Sequence, residues 1–389
     1  VSRADWVQSS AAVNPTLRNR HDGGFRPYTD AMRSEQVGQS TDISVPAPNL
    51  RAESEAVYAA GASGILGALY GFVVSLLAPD QPLSTAGGSF GLAAAIGAGV
   101  IAVVAATIGY WRTRNRPGQE WRRALPSWKF TVNTISVVIV HAALAFLATF
   151  AIFRVLSLGF VGLPVITFWA VVLMAVALGL TVYFVYLSVS RMTTQRMSSL
   201  LMAFIVIGTL TAMVTTTDPA WWTIHFSHLG SFTSLSSFIF NGTLIAGGLL
   251  VTTFAVYLAH DMQALHEAGV LTNPRAPRTV SVLFVIMGVM LACVGIFPVN
   301  VNLLLHNLSA SGMAAMFLAL LISGPRVLKG MPRTYFLASW VFLAATVASV
   351  ILFIVTYFTL TAFEIIVFAL IFGWISFFIR FLGVTGQKD

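Results

Sequence analysis

Charge is scarce in this chain: 9% of its 389 residues are Asp, Glu, Lys or Arg, against 57% that are hydrophobic, and mean hydropathy is +0.82. Soluble domains carry about 25% charged residues, so a water-facing globule is excluded for most of the length. Cysteine is nearly missing. Cys293 alone excludes an intrachain disulfide and any Cys-rich zinc or iron–sulfur site. There is no Walker loop and no HExxH to announce an enzyme. The apolar runs hold few ionisable residues and no proline break, which argues against an ion-driven transporter and leaves passive transport as the least favoured of three readings.

What is present is a series of long apolar runs. Ten reach the length of roughly 17–25 residues that crosses about 30 Å of hydrocarbon. They are Ala56–Ala78, Ser89–Trp111, Phe130–Phe153, Leu163–Ser190, Ser198–Thr216, Ser236–Ala259, Thr279–Phe297, Leu308–Ser323, Tyr335–Tyr357 and Phe363–Leu382, the eighth being short and rich in Ser and Gly. The gaps between them alternate in charge. Fifteen basic residues, from Arg112 to Lys388, fall after the even-numbered runs, whereas the other gaps hold only Arg154. By the positive-inside rule both termini are expected in the cytoplasm. The expected fold is therefore all-α, a polytopic transmembrane helical bundle of about ten spans, in a bacterial-type plasma (inner) membrane. The net charge of +8 is then a fringe facing anionic headgroups and calls for no nucleic acid.

Three regions follow: a polar tail over 1–55, spans 1–4 over 56–197, and spans 5–10 over 198–389. The tail is rich in Ser, Asn, Gly and Pro and contains no apolar stretch of the kind a signal peptide needs. By composition it is disordered on its own, and it is expected to become ordered on a partner protein. The basic loop Arg112 to Lys129, interleaved with Trp111, Trp121 and Trp128, is expected to anchor topology and offers a second surface for a partner or a lipid headgroup. Small residues (Gly61, Gly64, Gly67 and Gly71 in span 1; Gly91, Ala95 and Gly99 in span 2) mark faces where helix backbones approach closely, more readily within the protein than between copies.

Polar side chains gather in the gaps of the outer set. After span 5 come Asp218, Trp221, Trp222, His225, Ser227 and His228; Asn241 follows early in span 6; after span 7 come Asn300, Asn302, His306, Asn307 and Ser309. Asp218, His225, His228 and His306 are the candidate catalytic groups. Three histidines with a carboxylate could hold zinc, which would polarise a carbonyl or phosphoryl group; the competing readings are a metal-free polar pocket and plain interfacial hydrogen bonding. Asn241, Asn302, Asn307 and His141 are candidate binding residues. His141 lies near the middle of span 3, two turns from Asn133, where it either lines a path or bonds a neighbouring helix. Arg154 and Glu364 are expected at comparable depth and suit an ion pair.

The runs WWTIHFSHLGSF, FIFNGTLIAGGLL and GIFPVNVNLLLHNLSASGMAAMF resemble a family of bacterial and archaeal multi-pass membrane proteins known only as a domain of unknown function. Its elements fall on Ser227, Leu229 and Gly230, on Phe240, Asn241 and Gly242, and on Phe297, Pro298 and His306. His228 stands where that family often has an acidic residue, which weakens the metal reading. The resemblance covers spans 5–10 and implies an architecture, with emphasis on Asn241 and His306, but no reaction. The leading functional expectation is an accessory or scaffold subunit of a membrane complex; the alternative is a lipid-active enzyme or lipid-handling protein using the outer histidine cluster.

Overall fold

The computed structural model describes residues 47–84, 88–116, 119–231 and 233–385. Residues 1–46, and with them most of the tail expected to dock a partner, lie outside the described residues. Ten helices are long and apolar enough to cross a membrane: α1 (Ala47–Leu77), α2 (Phe90–Thr113), α3 (Ser127–Gly159), α4 (Thr167–Ser190), α5 (Thr194–Thr215), α6 (Leu235–Glu267), α7 (Ala276–Ile296), α8 (Leu303–Val327), α9 (Arg333–Ile354) and α10 (Leu360–Thr385). A two-residue antiparallel ladder, β1 (Gln81–Pro82) with β2 (Pro164–Val165), and 3-10 turns at Glu120–Arg123, Trp221–Thr223 and Phe226–Gly230 complete the described elements.

Hydrogen bonds between gaps show that the connections alternate between two ends, as the charge pattern requires. β1 pairs with β2, joining the gaps after α1 and α3. At the opposite, basic end Gln119 Nε2 donates to the Met192 carbonyl (3.2 Å), and Thr272 N donates to the Lys329 carbonyl (3.1 Å). Gly330 makes that last approach possible. Its φ of +113° and the Val270 carbonyl in the place a Cβ would take leave no room for a side chain.

α6 is the central helix, packed against α3, α5 and α7. Its crossing with α7 is backbone on backbone: a Cβ on Gly248 would lie 2.6 Å from Ala292 N, and one on Gly288 would lie 2.7 Å from the Gly248 carbonyl. Small residues permit this where lipid gives helices no hydrophobic reason to associate. The expected stripe on span 1 is likewise used inside the protein. A Cβ on Gly67 would sit 2.6 Å from the Met174 carbonyl of α4, although Gly61 faces open space. Contacts also cross the 197/198 boundary: α3 packs on α6, and the Tyr110 and Tyr257 hydroxyls lie 3.0 Å apart between α2 and α6. The α10 side is an aromatic core, with buried Trp374 stacked on Phe378 at 5.3 Å and donating to Ser339 Oγ of α9 at 3.2 Å.

Several boundaries differ from expectation, α6 running on to Glu267 and α3 to Gly159, and at two of them the physical reason is plain. α1 begins at Ala47 instead of Ala56, because its polar first turns are held by distant groups. Glu53 accepts from Tyr183 and Arg191, and Glu55 accepts from Tyr186 and Arg116, each at 2.5 Å. α8 begins at Leu303, five residues before Leu308, because Asn302 Oδ1 caps it by accepting from Leu305 N at 3.0 Å.

Candidate functional site

Several residues of the gaps at the Asp218 end converge on the Phe226–Gly230 turn. Phe226 drives its ring between Phe240 of α6 and Phe368 of α10, with centroid separations of 5.1 and 5.8 Å, so the turn is pinned by apolar contact. Polar bonds fix both of its ends. At the start, Glu364 Oε2 accepts from Phe226 N at 2.6 Å and, more weakly, from Ser227 N at 3.4 Å. At the close, the Gly230 carbonyl accepts from Ser237 Oγ (2.7 Å) and Asn241 Nδ2 (2.8 Å). Asn241 is thus a strap holding the turn on α6.

The expected Arg154–Glu364 ion pair is not formed among the described residues. Arg154 points out of the bundle, and the Glu364 carboxylate is used by the turn's backbone N–H groups. A neighbouring helix was the competing account for His141, and that is the geometry found. His141 is 3% exposed, its Nδ1 bonds the Val137 carbonyl (2.7 Å), and its Nε2 bonds Ser188 Oγ of α4 (3.0 Å).

The histidines are brought near one another but not onto a shared ligand position. His225 Nδ1 lies 3.0 Å from Ser227 Oγ, whereas His228 Nε2 lies 3.2 Å from Asp218 Oδ2. The two imidazoles meet edge to face at 5.6 Å. His306 Nδ1 lies 2.9 Å from the Phe297 carbonyl, so this nitrogen carries a proton and donates. Among the described residues no group of three or more His, Cys, Asp or Glu is arranged to hold a metal ion. Burial holds the His225 imidazole below the ordinary histidine range, and neighbouring His228 and His306 add to the effect.

These partners also bear on catalysis. A Ser–His pair becomes a nucleophile and base when a third group orients the base and free N–H groups await an oxyanion. Here Asp218 binds His228 and not His225, and Glu364 already occupies the Phe226 N–H. Ser89, within the Gly87–Gly91 run at the start of α2, is no nucleophile elbow either, since its Oγ caps that helix by accepting from Leu92 N at 3.3 Å.

Beside the turn lies a cavity of about 540 Å³ between α6, α7, α8 and α10. Its body is apolar, formed by Leu244, Leu291, Val294 and Met313 with Phe363 and Val367. Its polar end is formed by Ser227, His306, Asn307, Ser311 and Glu364, and contains neither Lys nor Arg. Asn307, Ser311 and Ala315 are exposed on α8, so the cavity opens sideways between α8 and α10. Asn302 stays outside it as the α8 cap. The cavity is not evident in the sequence; its only trace is the small residues Ala310, Ala314 and Ala315, which lie in the eighth run beside the Ser and Gly that make it look weak as a span.

Compared with protein-family models, characterised proteins and solved structures, the chain matches none.

Proposed function

We propose that this is a multi-pass membrane protein that binds an amphiphile entering sideways from the bilayer, with the Asp218 end facing outward. The observation that carries the reading is the lateral cavity, apolar along its body and polar at one end. Its volume lies within the roughly 300–1,000 Å³ of small-molecule sites. An acyl chain moving from lipid into this cavity gains little hydrophobic free energy, because it leaves hydrocarbon and not water. Selection therefore falls to the polar end. Glu364 accepts hydrogen bonds and, among the described residues, neither Lys nor Arg lines that end, so the favoured headgroup donates: hydroxyl-bearing or amine-bearing rather than a bare phosphate.

The geometry supports binding more than turnover, since the groups that would form a nucleophilic site are committed to one another. The scaffold-subunit reading rests chiefly on the tail, which lies outside the described residues. The test is photocrosslinking in nanodiscs with a diazirine-bearing acyl lipid, mapped by mass spectrometry. Labelling should fall on α8 and α10 peptides and drop at least ~tenfold in Ala314→Trp, which fills the cavity; a tenfold drop corresponds to about 1.4 kcal/mol. Labelling spread evenly over lipid-facing helices and unchanged in Ala314→Trp would sink the proposal.

A further inference from the structure

The basic end contains a second cleft, of about 830 Å³, with α6 as its floor and α3 and α7 as its walls. Three helical stripes meet there. Lys129, Val132 and Asn133 follow one another at i, i+3 and i+4 on α3; Arg278, Ser281, Val282 and Val285 do so at i, i+3, i+4 and i+7 on α7; Thr252, Val256 and His260 line the floor. Val132, Val282 and Val285 are exposed, so the cleft opens to the lipid-facing side of the bundle.

Its electrostatics are opposite to those of the first cavity. Lys129 and Arg278 line it, no Asp or Glu does, and neither cation has an ion-pair partner among the described residues. Lys129 Nζ lies 5.6 Å from the Trp128 ring, a longer contact than those of three other cations of this loop. Arg116 pairs with Glu55, Arg122 is 1% exposed and donates to the Tyr110 carbonyl, and Arg114 lies 4.1 Å above the Trp111 ring. Trp121 is held flat on His260 at 4.3 Å, which gives the cleft a rigid aromatic rim.

Asn133 supplies an independent sign. It lines the cleft, is 2% exposed, and its Nδ2 has no hydrogen-bond partner among the described residues. A buried amide donor left unpaired costs about 1–3 kcal/mol, so an acceptor at that position is strongly favoured. Asn133 lies six residues into α3, about 9 Å along the axis from its start at 1.5 Å per residue. That places an acceptor below the two cations, at the depth where a headgroup gives way to chains.

We propose that this cleft is a binding site for a phosphate-bearing glycerolipid of net negative charge, with Lys129 and Arg278 on the phosphate, Asn133 Nδ2 donating to an acyl ester carbonyl, and the valine-lined wall against a chain. The site is separate from the donor-selecting cavity at the other end and does not depend on that reading.

The experiment is native mass spectrometry of the full chain in detergent, titrated with short-chain phosphatidylglycerol and, separately, with phosphatidylcholine. Lys129→Gln with Arg278→Gln should weaken phosphatidylglycerol roughly 30-fold, from about fivefold per cation near a membrane surface. Arg123→Gln with Arg275→Gln removes the same charge outside the cleft and should leave affinity near that of the wild type. The Asn133 contact is read without relying on a variant: diether phosphatidylglycerol, which lacks ester carbonyls, should bind the wild type several-fold more weakly than the diester. Asn133→Leu should abolish that preference. Equal binding of the two headgroups, equal loss in both double variants, or no difference between diester and diether overturns the proposal. Displacement by inorganic phosphate at matched concentration overturns it as well, because the recognised species would then be a free anion.

Discussion

Replacing Glu364 tests the construction of the Asp218 end directly. Its Oε2 receives the Phe226 N–H at 2.6 Å, and Phe226 is 6% exposed, so water cannot readily substitute. A hydrogen bond to a charged group contributes about 1.5–3 kcal/mol, and an orphaned buried N–H costs about 1–3 kcal/mol. The two figures describe one event from two sides and do not add, so Glu364→Ala should lower the free energy of opening the turn by about 1.5–3 kcal/mol. The 3.4 Å contact to Ser227 N is long and adds little. Glu364→Gln keeps an acceptor but loses the charge and should cost about half as much. Hydrogen exchange reads this opening directly, since each 1.4 kcal/mol is tenfold in an equilibrium constant. Peptides covering 221–235 should exchange ~10–100-fold faster in Glu364→Ala and less than ~10-fold faster in Glu364→Gln, with α2 peptides unchanged. If Ala and Gln accelerate exchange equally, or neither does, the carboxylate is not what holds the turn.

The helix crossing makes a paired prediction: Gly248→Ala, whose Cβ would lie 2.8 Å from the Ala292 Cβ, should destabilise by about 1–3 kcal/mol in denaturant unfolding, whereas Gly242→Ala, with nothing within 4 Å, should be near neutral. A double-mutant cycle on His141 and Ser188 should give a coupling of about 0.6 kcal/mol, as for other hydrogen bonds between membrane helices, and a value near zero would remove the α3–α4 link. For His225, burial depresses the folded-state pKa below the unfolded value, so the unfolded chain binds the extra proton first. Its contribution is fully present above the ordinary histidine pKa of about 6.5 and is lost as pH falls through the folded value. His225→Gln should therefore flatten the decline in stability on acidification, read by thermal unfolding across that range; a slope as steep as the wild type's would assign the acid sensitivity to other groups.

The ten helices were legible because crossing hydrocarbon imposes one crude requirement, a long apolar run, and because basic residues keep to alternate gaps. What stayed hidden depended on partners far away in sequence. Arg51, Glu53 and Glu55 look like tail residues until Tyr183, Tyr186, Arg116 and Arg191 are placed around them, and only then can α1 extend back to Ala47. Glu364 shows the converse. Its depth could be read from the span boundaries and suggested a side-chain cation, but the donors it meets are backbone N–H groups, which no residue letter displays. His225, His228 and His306 stand out in the sequence as candidates, yet neither their proximity nor their pairing is readable there, since the pairing turns on which ring faces Asp218 and which faces Ser227.

The two cavities were invisible for a further reason: each is defined by side chains that fall short of filling space. On α8 that is a stretch of alanines; between α3 and α7 it is a cleft left where both helices pack against α6. In a soluble protein such voids would lose packing energy and invite water. In a bilayer the adjacent solvent is acyl chain, which can fill a lateral opening at little cost, so selection against these shapes is weak and their few polar groups decide what stays bound. Among the described residues, one end presents acceptors and neither Lys nor Arg, the other two cations without an ion pair and a buried amide donor. That opposition is the argument for two ligands of different headgroup chemistry instead of one lipid bound at both ends. A phosphate moved to the Glu364 end would face a carboxylate without a counter-charge, and an amine moved to the Arg278 end would face a guanidinium.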